Sequence, residues 1–512
     1  MSETAADTAA VPPTKEAATG RQIAKGAAWM MLFKLLDKCV GLVSTLILAR
    51  LLVPADFGLV AMAMAVVAFT QLLSAFGFDS ALIQRQTNQR HHYDTAWTFN
   101  VIAGCFIAVV LVVVAIPASS FYRDERLASI LFVLAAGSLF GSFENIGTVA
   151  FRRELDFRSE FRFLLAKRLV SFAVTVGTAF ALRSYWALVL GVVTGRLASV
   201  VISYMLHPYR PRFSLEARAE LFSFSKWIFV SSLISFLHSR STDFILGRTV
   251  GPHALGVYSI ASEIAAMPST ELIAPLNRAV YPAYSRLKSD IEALRSRFLE
   301  VFSIICVLGF PVSLGLYAVS EPAIRVVLGE KWLEAVPVMR VFVLVGLLSA
   351  LMSNLFLVMM ALGRPRAATL VSGAQLAVSL PLVIWASLRF GVTGAAWAHL
   401  AVAVIGAFFT VAMFTRILGM DLRFLFAAAW RPMVASLLMV VSTIALDSFM
   451  SEVWVDRAVI WRLVFLMGLV AASYIGLLLL LWSVSGRPRG AESQVLEFLN
   501  QKRWPWSASA KI

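Results

Sequence analysis

The sequence predicts an all-α polytopic membrane protein: about 14 transmembrane helices, arranged as two parallel six-helix lobes plus two extra C-terminal helices. Three observations carry this expectation. Of the 512 residues, 59% are hydrophobic and only 15% are charged, against about 45–50% and about 25% in soluble domains. The apolar residues come in blocks of about 20, the length that crosses a hydrocarbon core. Finally, residues 48–63 (LARLLVPADFGLVAMA) recur as LGRTVGPHALGVYSIA at 246–261.

Taken in order, residues 1–20 are small and polar and read as a disordered cytoplasmic tail. Spans are then predicted at 27–49, 58–78, 97–117, 127–150, 163–183 and 186–206, an N-terminal lobe over 21–210. A second lobe over 211–420 holds spans at 227–249, 257–280, 298–320, 337–362, 368–389 and 394–416. Helices 13 and 14 (432–449 and 462–485) occupy 421–485, and 486–512 is a cytoplasmic tail. The repeat pairs Leu48/Leu246, Arg50/Arg248, Pro54/Pro252, Gly58/Gly256 and Ala63/Ala261 at a constant offset. That offset corresponds to six spans, so both copies keep the same orientation, as in parallel-repeat transporters.

The formal charge of +15 invites a nucleic-acid reading, but in a membrane protein the position of the basic residues decides. With residue 1 in the cytoplasm, the inward connections and tails collect 26 of the 45 Lys and Arg, and the outward ones 6. This is the positive-inside asymmetry of a protein with both termini cytoplasmic. Membrane lipids are expected partners, and nucleic acid is not.

Ionisable groups near the bilayer centre are costly and mark a cavity or a partner. The first span carries Lys34, Asp37 and Lys38, with Gly41 and Thr45 on the same face. The sixth centres Arg196 on a small-residue stripe of Gly191, Gly195 and Ser199. The seventh has Ser231, Ser235, His238 and Thr242, with Arg240 and Asp243 spaced to pair. The eighth has Glu263, Glu271 and Arg278 among Pro268 and Pro275. Lys167, Arg168 and Arg340 lie near span edges and read as anchors; Asn354, Gln375 and His399 suit interhelical hydrogen bonds. Within the spans thirteen basic residues face seven acids, a surplus that suits an anionic cargo such as a pyrophosphate headgroup. Lys34, Lys38, Arg196 and Arg240 are therefore the candidate substrate-binding residues, and Asp37 the candidate coupling residue.

No nucleotide-binding glycine loop or paired-histidine zinc motif occurs. Cys39, Cys105 and Cys306 offer neither a disulfide framework nor metal-ligand spacing. No loop is long enough for a soluble catalytic domain. The chain reads as a carrier rather than an enzyme, with no cofactor, no metal and no catalytic residues.

The stretch 46–86, LILARLLVPADFGLVAMAMAVVAFTQLLSAFGFDSALIQRQ, resembles the WzxC-like polysaccharide flippases of the multidrug/oligosaccharidyl-lipid/polysaccharide exporter superfamily. EIAAMPSTELIAPLNRAVYPAYSRLKSD (263–290) and LGEKWLEAVPVMRVF (328–342) are similar at matching places, and the likeness extends to about residue 420. The resemblance implies export of an undecaprenyl-pyrophosphate-linked oligosaccharide from the cytoplasmic to the periplasmic leaflet of a bacterial inner membrane. It implies alternating access in the service of exopolysaccharide, O-antigen or capsule synthesis. A polysaccharide polymerase and a chain-length regulator are expected partners beside the lipid-linked oligosaccharide. Two rival readings stand beside it: a cation-coupled multidrug antiporter of the same superfamily, in which Asp37 would carry the ion, and a membrane-embedded polysaccharide ligase or polymerase.

Overall fold

The computed structural model describes residues 15–72, 82, 89–217, 225–450 and 459–487. Within these, the side chains of 15–24, 225–232, 234, 235, 238, 365–369 and 450 are not described, so Ser231, Ser235 and His238 fall outside the described residues. The same holds for most of both predicted tails. Among the described residues the regular structure is helical throughout. Backbone polar groups in lipid must be satisfied within their own segment, and a helix does this.

The chain divides into two compact units. The first comprises residues 1–52 and 63–236 and the second 53–62 and 237–512. In the first unit, α1 (Lys15–Leu51), the end of α2 (Pro54–Leu72), α3 (Arg90–Tyr122) and α4 (Arg126–Gly141) are followed by a bend. A 3₁₀ turn (Ile146–Thr148) and the short α5 (Val149–Arg153) lead into α6 (Phe157–Leu182) and α7 (Trp186–Leu206). Helix α1 lies on α6, α6 on α7, α7 on α4 and α4 on α3. Small residues make these crossings close: a Cβ on Gly137 would come within 2.9 Å of Val193, and one on Gly191 would overlap Thr175.

The second unit contains the start of α2, then α8 (Ser225–Thr249) from Leu237 onward, α9 (Gly251–Pro268), a π-helical turn (Ser269–Ile273) and α10 (Ala274–Arg286). Pro275 has no N–H to give the Glu271 carbonyl four residues back, and the helix widens there instead of breaking. Next come α11 (Ile291–Ala318), α12 (Ser320–Val327), α13 (Ala335–Ala361), α14 (Pro365–Leu418), α15 (Leu422–Met450) and α16 (Val459–Val484). Helix α14 holds two predicted spans, separated at Gly391 by a φ of +63° and ψ of −148°, a backbone region open essentially only to glycine. Phe298, Phe302, Tyr284 and Phe414 anchor this unit's apolar core, and the Tyr474 hydroxyl of α16 donates to the Val307 carbonyl at 2.8 Å.

Among the described residues the predicted spans fall on helix with one clear interruption: the span predicted at 127–150 breaks at 142–145, where its two helical parts meet at 69°, and the span predicted at 58–78 is described only to Leu72. Nine described helices are long and apolar enough to cross a membrane on those grounds alone. Helices α1 and α8 are not among them, since each carries ionisable residues through its middle.

The repeated motif meets itself. A Cβ on Gly58 would overlap the Pro252 carbonyl oxygen and lie 2.8 Å from the Gly256 nitrogen. A Cβ on Gly256 would overlap the Pro54 carbonyl oxygen and lie 3.0 Å from the Gly58 nitrogen. The start of α2 and the start of α9 thus cross backbone to backbone, each glycine seated on the other copy's proline. The remaining apolar positions of the motif, Leu48, Ala63, Leu246 and Ala261, are each buried.

Candidate functional site

A cavity of about 640 Å³ lies wholly within the first unit. Helix α1 contributes Phe33 and Asp37, one turn apart on one face. Helix α6 contributes Lys167, Arg168 and Ser171, helix α7 contributes Gly195, Arg196 and Ser199, and α3 contributes Asn100 and Gly104. Ser138 and Ser142 close α4, and Glu144, Asn145 and Thr148 line the bend after it.

Four of the five charged wall residues have a polar partner in view, and the fifth, Lys167, places its Nζ 4.8 Å from the centre of the Phe163 ring. Arg168 Nε stands 2.8 Å from Asp37 Oδ1. Arg196 donates through Nη1 to the Ser138 hydroxyl, and the Ser199 hydroxyl donates to Glu144. Asn145 is fully buried and holds the bend rigid: its amide donates to the Tyr209 carbonyl at 2.7 Å, and its backbone N–H donates to Ser203 Oγ at 3.0 Å. Three basic and two acidic side chains thus share a chamber of hydroxyls and amides. A small anion with several acceptor oxygens matches that chemistry, and charge-assisted bonds from arginine give it direction as well as strength.

The predicted residues divide as follows. Asp37 and Arg196 share the cavity. Lys34 and Lys38 are exposed on α1 and are not in its lining; each is one residue round from Phe33 or Asp37, about 100° on a helix. Arg240 belongs to the second unit, where its Nη1 donates to Asp243 Oδ2 at 3.2 Å. Beside that pair, Thr242 Oγ1 and the Tyr258 hydroxyl each lie 3.4 Å from His399 Nε2, whose other ring nitrogen meets the Ala395 carbonyl. Asn354 joins an interhelical cluster with Asn277 and Tyr284.

Lys167 and Arg168, set aside in the sequence as edge anchors, are cavity residues. Helix α6 begins at Phe157, which places Arg168 about three turns inside it. The usable signal was the polar stripe that continues from it through Ser171, Thr175 and Thr178.

Fold and cavity together define a polytopic α-helical membrane protein with a charged interior, the class that includes carriers. The chain belongs to the polysaccharide biosynthesis protein family, whose model matches residues 47–337. It is 25% identical to the lipopolysaccharide biosynthesis protein WzxC of Escherichia coli K12 over 430 residues, 82% of this chain and 87% of that one. It is 26% identical to the succinoglycan biosynthesis transport protein ExoT of Rhizobium meliloti, over 65% of this chain and 67% of that one. In fold it is similar to the lipid II flippase MurJ in an inward closed conformation. The TM-score is 0.69 at 12% identity, covering 89% of this chain and 99% of that one.

Proposed function

We propose that the protein is a flippase for a lipid-linked oligosaccharide, carrying an undecaprenyl-pyrophosphate-linked glycan from the cytoplasmic to the periplasmic leaflet of a bacterial inner membrane. The observation that carries the reading is the cavity: Lys167, Arg168 and Arg196 stand inside a membrane bundle, in a chain of the polysaccharide biosynthesis family. Cations held in low dielectric need an anionic partner, and a pyrophosphate supplies one while its polyprenyl tail stays in lipid. Hydrophobic drug cations would meet repulsion from the same groups.

In this reading two six-helix lobes over 21–210 and 211–420 alternate access, and the remaining helices and tails flank them. Lys34, Lys38, Arg196 and Arg240 meet the pyrophosphate during transport and Asp37 takes part in coupling. Both termini are cytoplasmic, and a polymerase and a chain-length regulator receive the product. The test uses inverted membrane vesicles loaded with a fluorescent lipid-linked sugar. Transfer to the lumen above the empty-vesicle rate is expected, and transfer equal to that rate would sink the reading. Lys38→Ala is expected to abolish polymer export and Lys38→Arg to retain part of it; normal output from well-expressed Lys38→Ala would remove Lys38 from the site.

A further inference from the structure

The contact between Asp37 and Arg168 differs from the other polar contacts of the cavity. Arg196 and Glu144 are engaged by serine hydroxyls, but Arg168 is faced by a carboxylate, a group with the charge and oxygen chemistry of a phosphate. The two side chains are 43% and 40% exposed, so water and solutes in the cavity reach both. An ion pair this open is worth little to the fold, about 0–1 kcal/mol, and is readily exchanged.

The alignment is also incomplete. Arg168 Nε is enclosed, and although it lies 2.8 Å from Asp37 Oδ1 it makes no well-directed hydrogen bond among the described residues. The guanidinium also lies close to the α1 backbone: a Cβ on Gly41, one turn beyond Asp37, would come to 3.1 Å from Arg168 Nη2. Arg168 is therefore positioned against the α1 backbone while its fork is only partly used. A phosphate can take two parallel N–H bonds from such a fork. The other charges in the cavity are Lys167, Arg196 and Glu144, with Lys38 next to Asp37 in sequence and Lys34 three residues before it.

We propose that Asp37 is an internal competitor for the anion: it occupies Arg168 while the cavity is empty and is displaced when a pyrophosphate headgroup arrives. Arg168 then alternates between carboxylate and phosphate, and the returning carboxylate speeds release. This inference rests on the flippase reading and specifies how the same cavity is regulated.

The sign of the effect is unusual, because removing a charged residue from the cavity should tighten binding. Asp37→Asn keeps the shape and removes the competing charge; two unit charges about 5 Å apart in a hydrated cavity make this worth about tenfold in affinity. The full-length protein in nanodiscs is titrated with inorganic pyrophosphate, and in a second arm with farnesyl pyrophosphate placed in the bilayer. Asp37→Asn should bind both about tenfold more tightly than wild type, Asp37→Glu should bind like wild type, and Arg168→Gln should bind at least tenfold more weakly. In the vesicle assay Asp37→Asn should lower KM and kcat together, since tighter binding delays release.

Equal or weaker binding by Asp37→Asn overturns the competitor role, as does failure of wild type to bind either probe. A response confined to the soluble anion overturns the headgroup assignment. Loss of glycolipid transfer in wild type would instead overturn the flippase reading, so the two failures are distinguishable.

Discussion

Gly58→Ala adds one methyl group at the crossing of the two motif copies, and the structure sets its consequence. The new Cβ would overlap the Pro252 carbonyl oxygen and stand 2.8 Å from the Gly256 nitrogen. These are backbone atoms at the start of a helix and cannot rotate aside, so the two helices must separate. Overpacking a close contact costs about 1–3 kcal/mol, and a rigid backbone neighbour puts this case at the upper end. Alanine recovers about 1 kcal/mol of helix propensity over glycine. The net loss is about 2 kcal/mol, a shift of up to about thirtyfold in the folded-to-unfolded ratio. Gly177→Ala is the control: nothing lies within 4 Å of its Cβ, so it should gain stability by up to about 1 kcal/mol. A thiol-reactive fluorophore reads both once Cys39 and Cys105 are replaced by alanine, because the remaining Cys306 is buried in the second unit and reacts only on unfolding. On a temperature ramp in nanodiscs the Cys306 transition should move down for Gly58→Ala and hold or rise for Gly177→Ala. Coincident transitions for Gly58→Ala and wild type would refute the contact.

Three further outcomes are expected. Arg462 holds Asp447 by two bonds of 2.7 Å between α15 and α16, with each side chain about one-fifth exposed. Arg462→Ala should destabilise that helix pair by about 1–3 kcal/mol, and Arg462→Leu with Asp447→Leu by less, because no lone charge is left; a double variant worse than the single would contradict this. Asn354→Leu strands Asn277 Oδ1 and the Tyr284 hydroxyl and should cost about 1–3 kcal/mol, read as a lower Cys306 transition. Between α3 and α4, hydrogen bonds from the Arg126 side chain to Asp124 hold its carboxyl below the usual carboxylate range. The stabilisation is therefore complete above the ordinary carboxylate pKa and lost as pH falls through the lowered value; Asp124→Asn should flatten that acid limb in a stability-versus-pH series.

The spans were legible because lipid imposes one rule on every segment: about 20 apolar residues with no exposed backbone polarity. The repeat was legible because Pro54, Gly58, Pro252 and Gly256 are needed at a contact that no side chain can enter, so their spacing is fixed twice in the chain. The charged interior was only half legible. Asp37 and Arg196 were visible as charges at mid-span, but Arg168 was judged by its distance from a predicted edge, and apolarity locates a helix end poorly where polar residues run on into the loop. Phe157 begins that helix with an Asp156 cap, whose carboxylate accepts from the Ser159 N–H; capping geometry, not hydropathy, places the boundary. Which face of α1 meets the cavity was also hidden. Asp37 and Lys38 are neighbours in sequence, and only the packing of α1 on α6 separates them.

The crossing of Gly58 and Gly256 has the form of an isologous interface, as between identical subunits of a twofold dimer: patch one touches patch two, and the reverse, through the same atoms. Here both subunits are parts of one chain. In a symmetric dimer one mutation strikes the contact twice, but in this protein each copy can be altered alone. Gly58→Ala and Gly256→Ala need not have equal effects, and the second substitution should add less than the first, since the gap opened by one methyl already admits the other. The difference between the two single variants would measure how far the two copies of the motif have diverged at the point where they meet.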